Sequence, residues 1–132
     1  MLGRSVHEVL GERGHEVITA SRKGSELSVD ITDPGSIQAM YAEVGRVDGV
    51  AVAAGSVPWK PFGELSSEDV WLGLAGKVAS QVELVRLGSQ YASEEASFTL
   101  ITGVLARDWL VTALAYVRSI EGRQTGQVYV VE

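Results

Sequence analysis

The stretch that decides the fold is Gly14-His15-Glu16-Val17-Ile18-Thr19-Ala20-Ser21-Arg22. Before it, Val6, Val9 and Leu10 recur at helical spacing between Arg4 and Arg13, and Gly14 stands where a C-terminal cap belongs. Glu16 to Ala20 then reads as a short β-branched strand that stops on Ser21-Arg22. In a dinucleotide-binding fold the end of the second strand meets the adenosine ribose. An acidic residue there bonds the 2′-hydroxyl, whereas an arginine accommodates a 2′-phosphate. Arg22 has the charge and the planar donor fork that suit a phosphate. The expectation is therefore NADP(H) rather than NAD(H). A solvated loop cation is the competing reading of Arg22, and the strand-end position favours the phosphate.

Working outward, helices and strands alternate. Leu27-Ser28-Val29 is a second, weak strand. Asp33-Pro34 starts a helix, a capping carboxylate followed by proline at the first helical position. Ile37, Met40, Tyr41 and Val44 follow on one face, and Gly45 closes that helix. Val47 to Ala54 is nearly continuous in Val and Ala, the pattern of a parallel strand buried on both faces. Ser56 to Gly63 reads as a loop. A long helix, Ser67 to Gln90, then opens at Ser66 or Ser67 with Glu68 and Asp69 behind it. Val70, Leu74, Val78, Val82 and Val85 line one side, and Leu72, Ala75, Ala79 and Leu84 a second. A helix this apolar is buried broadly or meets another subunit. Ser97 to Thr102 is a further strand broken by Gly103, Thr112 to Ile120 a helix capped by Gly122, and Gln127 to Val131 a last strand. The alternation predicts an α/β fold with a doubly wound parallel sheet, Rossmann-like, in three α/β/α layers. All 132 residues belong to one domain in this reading.

Composition narrows the function. A net charge of −6, with no Lys/Arg-rich run, argues against a nucleic-acid surface. The absence of cysteine removes disulfides, thiolate metal sites and a cysteine nucleophile, and fits a cytoplasmic protein. No apolar run reaches the ~18 residues of a membrane span, and Met1-Leu2-Gly3-Arg4 lacks the apolar core of a secretory signal. His7 and His15 have no partner at metal-ligand spacing, so no metal site is expected.

Taken in order, Gly-His-Glu-Val-Ile-Thr-Ala-Ser-Arg (14–22), Val-Asp-Ile-Thr-Asp-Pro (29–34), Val-Asp-Gly-Val-Ala-Val-Ala-Ala-Gly (47–55) and Thr-Gly-Gln-Val-Tyr-Val (125–130) resemble a short-chain dehydrogenase/reductase. The likeness spans nearly the whole chain and is closest to a divergent bacterial branch of small members. It implies that Leu2-Gly3 is the end of the glycine-rich turn, with Gly3 letting the first helix point its N-terminus at the pyrophosphate. Arg22 follows Gly3 at close to the ~20 positions such a fold expects. By the same resemblance Ser21 and Arg22 meet the 2′-phosphate and Asp30-Ile31 the adenine edge. Ala53-Ala54-Gly55 corresponds to the family's Asn-Ala-Gly loop along the nicotinamide ribose, here without its asparagine. Thr102-Gly103 stands where the catalytic serine belongs. The implied activity is hydride transfer between NADPH and a small carbonyl or alcohol substrate, by a homo-oligomer (dimer or tetramer) joined through the long helix.

The departures are equally specific. Family members open with a strand carrying the first glycines, and a Tyr-x-x-x-Lys helix follows the catalytic serine. Here Met1 directly precedes Leu2, and Arg107-Asp108-Trp109-Leu110 leads straight into the last helix. No catalytic residue can be assigned: the positions four after Tyr41, Tyr91 and Tyr116 are Gly45, Glu95 and Ile120. Removing a central strand would open a gap of about 9.6 Å, and each buried unpaired backbone group costs about 1–3 kcal/mol against a total stability of about 5–15 kcal/mol. Residues are therefore expected to be missing, with joins after Met1 and between Asp108 and Val111. Two alternatives stand beside the enzyme: a catalytically degenerate NADP(H)-binding sensor or scaffold, and an inert truncated product.

Other residues keep two readings each. Asp30 either serves the adenine or turns the loop before Pro34. Lys77, near the place of the family's structural asparagine, reads better as a solvated helix lysine, and Lys23 as surface charge. Glu68 and Asp69 read as helix-start carboxylates, and Trp59 and Trp109 either flank a substrate cleft or pack.

Overall fold

The structure is a computed structural model that describes residues 2–101 and 109–122. Its elements in chain order are α1 (Leu2–Glu12), β1 (Ala20–Ser21), β2 (Leu27–Ser28), α2 (Pro34–Val44), β3 (Val47–Ala51), a 3₁₀ turn (Phe62–Glu64), α3 (Ser67–Gly73), a π-helical turn (Leu74–Ala79), α4 (Ser80–Gly88), β4 (Ala92–Thr99) and α5 (Trp109–Glu121). Helices alternate with parallel strands, the α/β, Rossmann-like class that the sequence predicts. Among the described residues the strands form two separate two-stranded ladders, β1 with β2 and β3 with β4.

By contacts the chain divides into two compact units, residues 1–19, 46–53 and 92–132, and residues 20–45 and 54–91. In the first, α1 buries Leu2, Val6 and Leu10 against Ala113, Tyr116 and Val117 of α5. Each leucine or valine of this cluster removed from water contributes about 1.5–3 kcal/mol. α1 ends in a Schellman motif: Gly14 N–H donates to Gly11 O (3.0 Å), His15 N–H donates to Leu10 O (3.1 Å), and Gly14 takes φ 85°. α5 lies so close over β3 that a Cβ on Gly49 would sit 3.0 Å from Ile120 Cγ2. Val52 N–H donates to Thr99 O at 2.8 Å and extends the β3–β4 pairing by a residue.

In the second unit, Asp33 caps α2 by accepting from Gly35 N–H at 2.9 Å, with Pro34 at the first position, and Gly45 closes the helix at φ 77°. Ile37, Met40 and Tyr41 are buried, and the Tyr41 hydroxyl donates to Leu84 O of α4 at 2.9 Å. Ser66 caps α3 in a full capping box with Asp69.

Several boundaries differ from expectation. Among the described residues, only Ala20 of the anticipated strand Glu16–Ala20 joins a ladder, together with Ser21, pairing with Leu27 and Ser28. The anticipated strand Ser97–Thr102 begins earlier, at Ala92, and ends at Thr99, where its pairing with β3 stops. The long helix ends at Gly88 rather than Gln90 and holds a π-helical turn. Gln127–Val131, Thr102 and Gly103 lie outside the described residues. No described helix is long and apolar enough to cross a membrane.

Candidate functional site

β1 delivers Arg22 to the head of a tight polar turn. The Ser21 and Ser25 hydroxyls lie 2.8 Å apart, and each also reaches a backbone carbonyl, Lys23 O at 2.8 Å and Leu27 O at 2.6 Å. Gly24 takes φ 77°, a conformation open to glycine that lets the turn close. The Ser21 hydroxyl is thus occupied in shaping the turn. Arg22 is exposed, and among the described residues no hydrogen bond engages its guanidinium.

Beyond β2 the chain folds onto Asp30. Its Oδ1 accepts from Thr32 N–H (2.9 Å) and from the Thr32 hydroxyl (2.7 Å), while Asp30 N–H donates to Ser36 Oγ at 2.9 Å. The Thr32 hydroxyl and N–H hold the Asp30 carboxyl below the usual carboxylate range, and the positive charge of Arg22 adds a smaller pull the same way. Of the two readings of Asp30, the loop-turning one is visible in the geometry. Ile31 beside it is half-buried.

The loop after β3 is fixed to the π-turn. Ser56 N–H donates to Gly76 O at 3.1 Å, and a Cβ on Gly76 would collide with the Ser56 carbonyl oxygen. Gly55 takes φ 147°, where a Cβ would lie 2.8 Å from Lys77 Cδ and 3.4 Å from Nζ. Gly76 is required by close approach to a backbone, and Gly55 by its positive φ. Ala54 and Gly55 are exposed, and Lys77 is half-buried with its stem laid across Gly55, so it is not the freely solvated helix lysine expected from sequence. A cavity of about 310 Å³ opens alongside, lined by Thr32, Ser56, Val57, Pro58, Leu72 and Gly76. Of these, Thr32 and Ser56 directly follow the expected site residues Ile31 and Gly55, and sequence reasoning assigned none of the six to a site. Gly76-Lys77 inside an apolar helix was the available signal, because an interior helix glycine usually marks a close packing contact.

In the first unit the Leu2 side chain is committed to the core, so only its backbone remains for a ligand. Gly3 is exposed, and a Cβ on it would meet Ala53 Cβ at an ordinary 3.7 Å. The Tyr116 hydroxyl donates to Val52 O at 2.7 Å, and burial pushes this phenol up to about 12. Burial likewise pushes Tyr41 up to about 12. Both shifts run away from the neutral range that a general acid/base needs. Trp59, 85% exposed, does not pack.

Comparisons with solved structures agree with this architecture. The chain is similar to the protein lin1944 from Listeria innocua, at 36% identity and TM-score 0.75 over 91% of this chain and 61% of that one. It is also similar to a Burkholderia multivorans protein assigned to the short-chain dehydrogenases/reductases and solved with bound NADP, at 20% identity, TM-score 0.68, and 89% and 64% coverage. A Pseudomonas aeruginosa carbonyl reductase matches at 18% identity and TM-score 0.64, covering 74% of this chain and 55% of that one. The chain thus spans about three fifths of the length of the Listeria protein. No family model and no curated protein matches it. The chain thus shares its α/β fold with proteins described as short-chain dehydrogenases/reductases.

Proposed function

We propose that the chain is the nucleotide-binding portion of an NADP(H)-dependent oxidoreductase acting on a small carbonyl or alcohol substrate. The observation that carries this reading is Arg22: an exposed guanidinium with no hydrogen bond among the described residues, just after β1, on a turn that the Ser21 and Ser25 hydroxyls hold shut. A phosphate monoester offers such a fork two acceptor oxygens. The unengaged donors therefore fit a 2′-phosphorylated nucleotide, and the 2′-phosphate would be held by Arg22 while Ser21 keeps the turn in shape. Asp30 and Ile31 would border the adenine, and Ala53, Ala54 and Gly55 the nicotinamide ribose. Leu2 and Gly3 would offer backbone N–H groups at the start of α1 to phosphate oxygens. Bound NADPH supplies the hydride; the residues named here bind and orient. The NADP- and NADPH-bound proteins of similar fold support the choice of cofactor.

Self-association belongs to the same reading. Val70, Leu74, Val78 and Val82 are all exposed and recur every four residues along α3, the π-turn and α4. In a pure α-helix such a row drifts by about 40° per step, since each residue turns about 100°. A π-turn holds more residues per turn and rotates the row back toward the axis. The result is an apolar ribbon suited to a second copy of this chain. Titration of the purified chain with NADPH and NADH tests the cofactor assignment, and absorbance turnover over a carbonyl panel tests the oxidoreductase.

A further inference from the structure

Among the described residues Lys77 has no partner for its charge. Its stem lies across Gly55, the π-turn presses the adjoining Gly76 onto Ser56, and the buried Gln81 amide donates to Lys77 O at 2.9 Å, fixing the backbone that carries it. Among the described residues no hydrogen bond or ion pair engages the ammonium. Immobilising a lysine costs rotamer entropy, and half-burying it costs hydration. A protein partner normally offsets both, and among the described residues none does. Gly76 and Ser56, the chain neighbours of Lys77 and Gly55, both line the cavity, so the two residues that meet here are each one position from its wall. π-Turns are uncommon in helices and concentrate at functional sites.

We infer that Lys77 is a ligand-binding residue whose ammonium donates to oxygen acceptors of a molecule seated against the Gly55 loop. The inference rests on the NADP(H) reading, in which those acceptors are the hydroxyls of the nicotinamide ribose. Arg22 then grips the phosphorylated adenosine end and Lys77 the nicotinamide end of one cofactor.

The two ends can be probed separately. NADPH carries both, whereas adenosine 2′,5′-bisphosphate carries only the adenosine end. Binding of each is measured by calorimetry to the intact chain and to Lys77→Met, which keeps the apolar stem over Gly55. A charge-assisted hydrogen bond corresponds to about tenfold to a hundredfold in affinity. Lys77→Met should therefore lose that much for NADPH and less than about twofold for the bisphosphate, and Lys77→Arg should retain most of the NADPH affinity. Lys77→Gln, which keeps a donor but no charge, replaces the methionine variant if that protein does not melt cooperatively, with the same loss expected. Unchanged binding of both probes would overturn the role of Lys77 and leave that of Arg22 standing. Equal weakening of both would overturn it too, because a residue acting only through the loop affects the whole site. If the unmodified chain binds neither probe, the cofactor reading falls and this inference with it.

Discussion

At Gly76 the presence of hydrogen in place of a side chain is a structural requirement, since a Cβ would meet the Ser56 carbonyl oxygen. Gly76→Ala should destabilise by about 1–3 kcal/mol, the usual cost of overpacking. Gly11, inside α1 with nothing within 4 Å of its would-be Cβ, is the control. Gly11→Ala should stabilise by about 0.5–1 kcal/mol through helix propensity alone. Denaturant melts read both, and equal effects would show that the loop does not press on the π-turn. Arg22 makes a different kind of claim. Arg22→Ala should weaken NADPH about tenfold to a hundredfold and leave NADH within about twofold. Equal loss for the two nucleotides would show that the arginine does not read the 2′-phosphate. The position of Arg22 just after β1 was visible in the sequence because strand ends are marked locally. Lys77 was not, because its environment is made by Gly55, a residue distant in the chain.

The helix termini illustrate which elements a sequence declares. Asp33-Pro34, Gly14, Gly45 and Ser66 with Asp69 are all found as caps, since each closes hydrogen bonds within a few residues of itself. Strand lengths depend instead on what lies alongside, and the expected Glu16–Ala20 strand contributed a single residue to its ladder. The π-turn was harder to read for a related reason: Gly76 within Leu74 to Ala79 marks a close contact, but the Ser56 backbone it meets lies far off in the chain. Ser66→Ala should cost about 0.5–2 kcal/mol as the cap is lost. Asp69, bonded by Lys60 Nζ and by the Ser66 N–H and hydroxyl, has its carboxyl lowered to about 2. A lowered carboxyl stabilises the folded state above its unfolded value near 3.8, and that contribution is lost as pH falls toward about 2. Asp69→Asn should flatten stability between those limits; an unchanged acid limb in pH-dependent melts would contradict the assignment. Ser80 Oγ, just after the π-turn, is buried with no partner among the described residues.

For the whole molecule, the class of fold was legible from the alternation of elements and the family likeness. The partner of the long helix was not. The sequence left open whether its apolar breadth is buried or shared, and Val70, Leu74, Val78 and Val82 are exposed. Val78→Lys should shift the chain to a smaller species in sedimentation, and an unchanged mass would contradict self-association through this face. Tyr41 and Tyr116 set the alkaline limit. A phenol raised to about 12 keeps its full contribution below 10.0, its ordinary value, and loses it as pH climbs to about 12. The central claim, a nucleotide site selected for a 2′-phosphate, is tested most directly by titrating the intact chain with NADPH and NADH under identical salt. Binding of NADPH at least tenfold tighter than NADH is the expected result. Equal affinities, or no binding of NADPH at all, would contradict the account.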